Sequence, residues 1–428
     1  MDASVKAHQI LDRLPEGGLF AGHKWRIPLE PFPLDSKLTK ELDSLGHILL
    51  KFYQAVDLLY RQSVAKKQPD WIAEWLERGK PQSVIELQRD QAFKTQLPRV
   101  IRPDILLTEE GWHITELDSV PGGIGLTGWL NNAYENVIGD RMGMLNGFSG
   151  IFGPTETVHI MVSEESSTYL PEMEWLSKQL GDRFSVYDST FTKTKKGDSV
   201  YRFFELFDLP NIEASDYLFD AARKKSIKIV PPPKSYLEEK MLFALFWNRN
   251  LKDFWHQELG AKYTRQLKKV IPETWIMDPS PLPPHAAIPG LELTKWDQLA
   301  DLSKKDRHLI LKLSGFNERS WGSRSVRLGT DLPQTEWAEA VELAISEFDT
   351  SPWILQRYKK PRTVQHDWFN FETESTIPMK GRVRLCPYYF VQEESEVCLG
   401  GVLATICPAN KKIIHGMRDA IMAPCSKV

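Results

Sequence analysis

The segment IRPDILLTEEGWHITELDSVPGG, Ile101–Gly123, contains two apolar runs that carry charged residues and are separated by Glu-Glu-Gly. This pattern is typical of a β-hairpin. Because side chains alternate along a strand, pairing of the two runs would put Asp104, Glu116 and Asp118 on one face. Arg102 shares the face of Asp104. Carboxylate oxygens are the ligands that Mg²⁺ prefers, so the segment predicts a hairpin with a metal-binding face.

The end of this segment, SVPGGIG at residues 119–125, is rich in glycine. Glycine lets backbone amides approach an anion closely. We therefore expect a loop that lies near an anionic substrate. The residues alone also leave a second interpretation open, in which the whole segment is a solvent-facing hairpin with its charges in water.

The chain as a whole has the length and composition of a globular protein with more than one domain. It has 428 residues, of which 42% are hydrophobic and 26% are charged, whereas about 100–200 residues is typical of one domain. No run approaches the ~18 apolar residues that a membrane span needs. The net charge of −3 and the lack of a basic block disfavour nucleic acid as a partner. We expect a soluble protein of two or three lobes, with neither membrane nor nucleic acid as a partner.

The N-terminal residues and the cysteines bear on cellular location. The N-terminal text MDASVKAHQILDRLPEGG has polar residues where a secretory signal needs a continuous apolar region. The cysteines show neither CxxC spacing nor histidines at zinc-finger offsets. They are Cys386, Cys398, Cys407 and Cys425. These features predict a cytoplasmic protein whose thiols are reduced and mostly buried.

Hydrophobic periodicity and turn residues divide the chain into four predicted segments. Residues 1–100 form a helical N-terminal segment, because apolar residues recur there at spacings of three and four. Residues 101–150 contain the two strands of the hairpin. Residues 155–233 alternate strand and helix, which is typical of a small parallel α/β lobe. Residues 235–428 form the last segment, which contains helices, a Pro-rich loop and several strands.

A lysine lies inside the apolar start of LILKLSGFNERSWGSRSVRLG, residues 309–329. This residue, Lys312, is costly to bury without an anion or a path to water. The residues that follow it are small or donor-rich and suited to close over phosphate oxygens. They include Gly315, Arg319, Ser320 and Gly322. The GxxxxGK[ST] pattern is absent, and taken alone the segment fits a surface hairpin with an exposed lysine at least as well.

Two further candidates have ordinary explanations when each is considered alone. Lys240 lies at the predicted start of a helix in SYLEEKMLFALFW, where most lysines are solvated. The apolar run SPWILQRYKKP ends with Gln356, Arg357 and Tyr358. Such residues are common at the end of any strand. Their significance therefore depends on what accompanies them along the chain.

The order and spacing of these elements resemble the nucleotide-binding half of an ATP-grasp ligase. In that family a lysine near a helix start, an IP-x-T step and a hydrophobic strand with Lys-Pro precede the linker that contacts adenine. Here the IP-x-T-like step is residues 271–274, and Leu313 stands where the family has proline. The metal-binding E-x-N element that ordinarily follows the linker does not occur after Tyr358.

The counterpart of the missing element lies upstream, where Arg102 and Asp104 precede Glu116-Leu117-Asp118. Circularly permuted ATP-grasp proteins have it in this position, and the R-x-D…E-x-N spacing resembles that of glutathionylspermidine synthetases and their relatives. Asp118 stands where the family has asparagine. The resemblance implies an α/β (α+β) fold class with a circularly permuted ATP-grasp fold. Residues 101–150 would belong to its core, and a Rossmann-like pre-ATP-grasp lobe and ATP-binding lobes would follow.

The resemblance also implies a ligand for each set of candidate residues. The ATP phosphates would contact Lys240 and Lys312. The loop that covers these phosphates would consist of residues that include Gly315, Arg319, Ser320 and Gly322. Adenine would bind the backbone of Gln356, Arg357 and Tyr358. Two Mg²⁺ ions would bind Asp104, Glu116 and Asp118, and the catalytic arginines would be Arg102 and Arg384.

Of these arginines, Arg102 would contact the γ-phosphate or an acyl phosphate formed from it. Arg384 lies in the strand-like text KGRVRLCPYYF and would reach a phosphate. A structural strand with exposed arginines is an alternative explanation for that text.

The implied reaction is carboxylate activation. Mg·ATP would phosphorylate a small-molecule acid, and a small-molecule amine would attack the acyl phosphate to give an amide, ADP and phosphate. One alternative is an ATP-dependent kinase or phosphotransferase. Another is a degenerate ATP-grasp scaffold that binds a partner without turnover, for which Asp118 and Leu313 are arguments. The identity of both substrates stays open, and so does the oligomeric state, although homodimers are common among such ligases.

Overall fold

The structure is a computed structural model that describes residues 2–15, 19, 25–320, 324–392, 395–411, 414 and 419–428. The predicted loop residue Gly322 lies outside these ranges. The described α-helices are α1 (Ala3–Leu11), α2 (Ser36–Val64), α3 (Asp70–Glu77), α4 (Gln82–Arg89), α5 (Ile124–Ala133), α6 (Gly143–Gly150), α7 (Leu170–Leu180), α8 (Ser215–Arg223), α9 (Met241–Trp247), α10 (Lys252–Val270) and α11 (Gln334–Ser346). None of these helices combines the length and the apolar character needed to cross a membrane.

The β-strands of the described residues form three sheets. Their bounds are β1 (Phe32–Leu34), β2 (Val100–Thr108), β3 (Gly111–Asp118), β4 (Val158–Val162), β5 (Phe184–Tyr187), β6 (Ser199–Phe203), β7 (Lys228–Val230), β8 (Thr274–Ile276), β9 (Leu309–Leu313), β10 (Arg327–Leu328), β11 (Trp353–Arg357), β12 (Thr363–Asn370), β13 (Ser375–Val391), β14 (Val397–Pro408) and β15 (Ile421–Lys427). The fold is therefore a mixed α/β fold.

The chain forms two compact units, each made of separate stretches of sequence. Unit 1 comprises Met1–Lys51, Asp90–Pro233 and Pro361–Val428. Unit 2 comprises Phe52–Arg89 and Lys234–Lys360. This division differs from the predicted segments, because the first hundred residues contribute to both units and the stretch predicted as one block from residue 235 onward is divided after Lys360.

The main sheet of unit 1 has seven strands in the order β1-β15-β14-β13-β2-β3, with β12 paired to β13 beside this path. β13 runs antiparallel to β2, with Arg384 opposite Leu106 and Tyr389 opposite Ile101. The C-terminal strands thus share a sheet with the hairpin near residue 110. This long-range pairing explains why they do not belong to the same unit as residues 234–360.

The second sheet of unit 1 is parallel throughout, in the order β5-β4-β6-β7. Helix α7 connects β4 to β5, and α8 lies between β6 and β7 along the chain. The strand–helix alternation predicted for residues 155–233 is thus present, and its strands pair in parallel. Helices α5 and α6 contribute to a core that also contains residues of β4, β6 and β13; it includes Trp129, Phe148, Ile160, Tyr201 and Phe390.

The four cysteines lie on strands of the main sheet of unit 1. None of them forms a disulfide, and three are buried. This agrees with the prediction of mostly buried thiols.

Unit 2 has an antiparallel sheet in the order β10-β9-β11-β8. Its strands pack on α11 through a buried apolar cluster that includes Leu311, Leu313, Trp337, Trp353 and Leu355. Side chains alternate between the faces of a strand, so Lys312 leaves β9 on the face opposite to Leu311 and Leu313. The next subsection describes what it meets there.

Candidate functional site

The predicted hairpin is present, and its register sets the geometry of the first group of candidate residues. β2 and β3 are antiparallel, with Arg102 opposite Asp118 and Asp104 opposite Glu116. Directly opposed residues of two strands present their side chains on the same face. The expectation that these four charged residues share a face is therefore confirmed.

The side chain of Arg102 lies between two aspartates. Its Nε is 3.2 Å from Asp104 Oδ1, and its Nη2 is 2.9 Å from Asp118 Oδ2. The guanidinium also donates from Nη1 to the carbonyl oxygen of Gly122, at 3.2 Å. Arg102 is thus oriented by one carboxylate on each strand and by a carbonyl oxygen of the following loop.

A second arginine reaches the same aspartate from β13. Arg384 Nη1 donates to Asp104 Oδ2 at 3.0 Å, and the thiol of Cys386 lies 3.4 Å from Asp104 Oδ1. Long-range pairing of β13 with β2 brings these residues together. We call Arg102, Asp104, Asp118 and Arg384 the arginine–aspartate cluster.

The electrostatics of the arginine–aspartate cluster favour charged arginines. Burial opposes the charge of Arg102, but the Asp104 and Asp118 carboxylates raise its pKa well above the usual value. Burial raises the pKa of Asp118 against the opposing effect of Arg102. The exposed fraction of the side chains runs from 8% for Asp104 to 26% for Asp118. Asp104 is therefore almost fully buried, and Asp118 is partly buried.

The predicted metal ligands Asp104, Glu116 and Asp118 do not form an open carboxylate group. Asp104 and Asp118 bind guanidinium groups instead, and one Asp118 oxygen accepts the backbone N–H of Val120 at 2.8 Å. Among the residues that the structure describes, no group of three acidic, histidine or cysteine side chains could hold a metal ion. The carboxylates suit Mg²⁺ chemically, but this arrangement does not fit the ion. Their role as metal ligands stays a prediction.

The glycine-rich loop has an anion next to it, and that anion belongs to the protein. The amide of Gly123 donates to Glu172 Oε1 at 2.7 Å, and the amide of Leu126 donates to Glu172 Oε2 at 3.1 Å. Glu172 lies on α7 and is fully buried. We expected the amides of this loop to face a substrate, and for the Gly123 amide this expectation is wrong, because it binds Glu172. Leu126 lies just beyond the loop, in α5.

In unit 2, Lys312 ends in a buried hydrogen-bond chain. Its Nζ donates to Gln356 Oε1 at 3.0 Å, and Gln356 Nε2 donates to Thr274 Oγ1 at 3.1 Å. All three residues are buried. The strand lysine, the strand-end glutamine and the threonine of the IP-x-T-like step thus meet on the sheet formed by β9, β11 and β8.

The loop after β9 lies close to the other candidate lysine. Lys240 Nζ donates to the carbonyl oxygen of Ser320 at 3.3 Å, and the Lys240 amide donates to the carbonyl oxygen of Ser314 at 2.9 Å. Lys240 immediately precedes α9, as predicted. The structure therefore brings Lys240 to both ends of the described part of the loop, residues 314–320.

Two candidate residues of the loop have local structural explanations. Arg319 binds the carboxylate of Glu347, the residue directly after α11, with Nη2 2.9 Å and 3.0 Å from the two oxygens. A Cβ added to Gly315 would lie 3.0 Å from the carbonyl oxygen of Glu238 and 3.0 Å from the Glu239 carboxylate. The glycine thus permits close packing, and Arg319 is directed to the C-terminal end of α11.

The predicted adenine-binding linker uses two of its amides inside unit 2. The amide of Arg357 donates to the carbonyl oxygen of Glu273 at 2.8 Å, and the amide of Tyr358 donates to that of His308 at 3.0 Å. The Arg357 side chain binds Glu273 Oε2 at 3.2 Å. The Gln356 side chain belongs to the Lys312 chain. Adenine binding by this segment stays a prediction, and it cannot use these two N–H groups as they stand.

Sequence reasoning missed a buried ion pair beneath the loop after β9. Lys80 Nζ lies 2.8 Å from Glu239 Oε1, and the side chains are 1% and 4% exposed. Ser314 donates its hydroxyl to Glu239 Oε2, and the Ser314 oxygen accepts the amide of Met241 at 2.9 Å. Lys80 comes from the stretch after α3, so no local pattern could reveal this contact.

Comparison with known proteins gives a fold. No protein-family model matches the sequence, and no curated protein matches it either. A glutathione synthetase-like effector from Globodera pallida, solved in its apo form, aligns with 100% of this chain and 98% of that chain at a TM-score of 0.58 and 12% identity. A protein from Methylobacillus flagellatus KT, named as a candidate gamma-glutamylcysteine synthetase, aligns over 86% of each chain at a TM-score of 0.40 and 11% identity. The second likeness is too weak for an argument. The first shows that this chain has the fold of that glutathione synthetase-like effector.

Proposed function

We propose that this protein is an ATP-dependent carboxylate–amine ligase with a circularly permuted ATP-grasp fold and a Rossmann-like pre-ATP-grasp lobe. It transfers the γ-phosphoryl group of ATP to a small-molecule acid. An amine then attacks the acyl phosphate, which yields an amide and releases phosphate beside ADP. The fold of a glutathione synthetase-like effector supports this proposal.

The arginine–aspartate cluster is the observation that carries the proposal. Phosphoryl transfer needs positive groups that are oriented before charge spreads over the transferred oxygens. Arg102 is oriented by Asp104, Asp118 and the Gly122 carbonyl group. Arg384 approaches the same aspartate from β13. A guanidinium presents its donors in a planar fork that matches phosphate oxygens, so both arginines suit the stabilisation of an acyl phosphate.

Unit 2 supplies the residues that would bind ATP. Lys312 donates to the Gln356 side chain and Lys240 donates to the Ser320 carbonyl oxygen. In the proposed complex both ammonium groups would bind the phosphates of ATP. Residues 314–320 begin directly after the Lys312 strand. We assign this segment to the phosphates and the strand end at Gln356–Tyr358 to the nucleoside.

Magnesium would accompany ATP and supply further charge neutralisation when bound. Asp104 is paired with Arg102 and Arg384, and Asp118 is paired with Arg102. The roles argued above for the arginines and lysines do not depend on where the ion binds.

The test combines nucleotide binding with turnover. Thermal unfolding is measured with and without Mg²⁺ and a non-hydrolysable ATP analogue, for the wild type, Lys312→Ala and the control Lys305→Ala, which changes an exposed lysine of the same unit. Ligand at about a hundred times its Kd should stabilise the wild type by about 2.7 kcal/mol. Lys305→Ala should keep this stabilisation and Lys312→Ala should lose it. Phosphate release is then screened with mixtures of acids and amines.

The outcome separates this proposal from its rival. The ligase is supported if nucleotide raises the unfolding temperature and phosphate release requires both an acid and an amine. A well-folded wild type that shows no shift contradicts the ATP site. Phosphate release with an acid or alcohol alone, without need for an amine, points to a phosphotransferase.

A second candidate function is that of a ligase-like scaffold that binds a ligand without turnover. The pairing of Asp104 and Asp118 with arginines favours it, because an enzyme that binds metal with these carboxylates has to break those ion pairs. Such a scaffold would release no phosphate with any substrate mixture, whether or not nucleotide raises its unfolding temperature. Substitution of Asp104 would then leave ligand binding intact.

A further inference from the structure

Glu172 is a buried carboxylate for which the proposed reaction has no direct use. It lies in the first turn of α7 and is 0% exposed. Its two oxygens accept the amides of Gly123 and Leu126. These amides belong to the N-terminus of α5, which has no side-chain cap of its own. Glu172 therefore caps α5 from a different helix, where a negative charge is favoured by the helix dipole.

The glycines of the loop are explained by this contact and by two aromatic residues. A Cβ at Gly122 would lie 2.3 Å from the Tyr169 ring, and a Cβ at Gly123 would lie 2.3 Å from the Tyr388 hydroxyl oxygen. Gly123 also has a φ of 90°, which disfavours other residues. A Cβ at Gly125 would lie 2.3 Å from the carbonyl oxygen of Glu172. The sequence Pro-Gly-Gly-Ile-Gly thus fits residues 121–125 tightly against α7 and β13.

The same loop reaches the arginine–aspartate cluster. The carbonyl oxygen of Gly122 accepts a hydrogen bond from Arg102 Nη1 at 3.2 Å and from the Tyr388 hydroxyl at 2.8 Å. Gly122 is adjacent to Gly123, whose amide Glu172 binds. A continuous series of hydrogen bonds therefore runs from Glu172 through one peptide unit to Arg102.

We propose that Glu172 is a positioning residue for Arg102: its carboxylate fixes residues 121–126, and the Gly122 carbonyl group of this loop then fixes the guanidinium. The proposal rests on the proposed function only where it treats Arg102 as a catalytic group. The contact with the loop stands independently of any activity.

The surroundings of Glu172 make the contact sensitive to pH. The charged and titratable groups that face it are Arg102 on β2, Tyr169 before α7, Tyr201 on β6 and Tyr388 on β13. Burial raises the pKa of Glu172 to about 7, although the loop amides and Arg102 act in the opposite direction. A protonated carboxyl group accepts hydrogen bonds less strongly. Because these amides bind the charged form, loss of their hydrogen bonds while Glu172 stays buried is favoured by protonation, so the loop should loosen locally as the pH falls below about 7. Global unfolding exposes Glu172 to water and therefore has the opposite pH dependence.

Hydrogen exchange of the full chain tests the contact without any substrate. Exchange of the amides of Gly123 and Leu126 is followed by mass spectrometry in the wild type, Glu172→Gln and the control Glu174→Gln, which changes an exposed residue of the same helix. Glutamine offers only one acceptor oxygen, so exchange in this loop should be about tenfold faster in Glu172→Gln. The control should match the wild type. Equal protection in all three proteins would overturn the proposal.

A measurement on the wild type alone covers the case in which Glu172→Gln does not fold. Loop exchange is compared at pH 6 and pH 8 after correction for the intrinsic pH dependence of amide exchange. Protection should be lower at pH 6, whereas peptides of β4 and β6 should show no such change. Protection that is independent of pH contradicts a role for the charged carboxylate.

The effect on Arg102 is measured directly and through activity. The side-chain Nε–H signal of Arg102, assigned with Arg102→Lys, should shift in Glu172→Gln and stay in place in Glu174→Gln. In phosphate release, kcat should fall at least about fivefold with little change in KM for ATP, because orientation rather than binding is lost. In the wild type kcat should decrease as the pH falls through about 7, and in Glu172→Gln this decrease should be absent.

These measurements distinguish the failure of the positioning proposal from the failure of the proposed function. A wild type that releases no phosphate with any substrate mixture refutes the proposed function, while the exchange and Nε–H measurements still confirm or refute the positioning of Arg102. An active Glu172→Gln variant with the wild-type pH profile and an unshifted Arg102 signal refutes the positioning role alone.

Discussion

At the scale of single residues, Asp104 is the most connected member of the arginine–aspartate cluster. It receives Arg102 at one oxygen and Arg384 at the other, and it is nearly buried. Two positive side chains therefore depend on one carboxylate for much of their neutralisation. The consequence can be measured in the absence of any substrate.

We predict that Asp104→Ala destabilises unit 1 by about 3 kcal/mol, because removal of one partner of a buried ion pair leaves the opposite charge uncompensated. Asp104→Asn keeps the shape and should cost less. The free energy of unfolding is obtained from urea titrations. Asp367→Asn, at an exposed position of β12, is the control and should stay within about 0.5 kcal/mol of the wild type. If Asp104→Ala has the same free energy of unfolding as the wild type, the arginines must find other partners.

Glu172 gives a second residue-level prediction, on stability and pH. Its pKa is raised by burial to about 7 from 4.5. Between these values the folded protein binds a proton that the unfolded chain has lost, so the free energy of unfolding decreases as the pH rises from about 4.5 to about 7. Relative to Glu172→Gln, the wild type should lose up to about 3 kcal/mol over this range. Parallel pH profiles of the two proteins would contradict the raised pKa.

The sequence predicts some of these residues for a local reason. Alternation along a strand places Arg102 and Asp104 on one face. Recognition of a single turn is then enough to pair this strand with the next one, which carries Glu116 and Asp118. Arg384 reaches Asp104 through strand pairing, and Glu172 reaches Gly123 through helix packing, in both cases over a long sequence distance. The sequence around Arg384 and Glu172 does not specify these partners. A signal for Glu172 did exist, because its spacing from Leu176 puts a carboxylate on the apolar face of α7.

At the scale of secondary-structure elements, the loop after β9 is supported from below by the Lys80–Glu239 ion pair. Ser314 links Glu239 to the start of this loop, and its oxygen also accepts the first amide of α9. The element that we assign to phosphates therefore has a rigid base at Ser314. Both charges of the pair are buried.

We predict that Glu239→Ala destabilises unit 2 by about 3–5 kcal/mol, because Lys80 would remain buried without its carboxylate. Lys80→Met should also be destabilising, since it leaves Glu239 buried without its lysine partner. The double variant Lys80→Met/Glu239→Leu should recover much of the loss, as buried ion pairs are often replaceable by apolar residues. The four proteins form a double-mutant cycle in urea unfolding. Additive losses would show that the two side chains do not stabilise each other.

Elements were predictable where periodicity is strong. The helices between residues 36 and 77, the strand–helix alternation after Val158 and the strand that carries Lys312 are all present. Which strands pair with each other is predictable only for the hairpin of β2 and β3, because a short turn joins these two strands. The pairing of β13 with β2 connects residues almost three hundred positions apart, and hydrophobic pattern alone does not encode such a choice.

At the scale of the whole molecule, each compact unit is made from separate pieces of sequence. Periodicity along the chain predicts contiguous segments, so it assigns residues 235–360 to one segment with the C-terminal strands and the first hundred residues to another. In unit 2 the smaller piece, Phe52–Arg89, contributes α3, α4 and the end of α2. The buried polar contacts show how much the larger piece depends on it.

Three polar side chains at the start of the larger piece bind residues of the smaller one. Lys234 Nζ lies 2.6 Å from Asp57 Oδ1, and the Tyr236 hydroxyl donates to the same oxygen at 2.6 Å. Ser235 donates to Gln88 Oε1 at 2.6 Å. Without residues 52–89, these polar groups and Glu239 would lose their buried partners, and each such loss costs about 1–3 kcal/mol or more for a charge.

We therefore predict that residues 234–360 do not fold alone but fold when residues 52–89 are joined to them by a flexible linker. The sum of the lost contacts is comparable with the whole stability of a domain, about 5–15 kcal/mol. Circular dichroism during urea titration should show a cooperative transition for the joined protein and none for the single piece. Asp57→Ala in the joined protein should lower its midpoint, because Lys234 and Tyr236 lose their common acceptor. A cooperative transition of the single piece at the same midpoint would mean that the discontinuous unit is not needed for folding, and that residues 52–89 are attached to a domain that is complete without them.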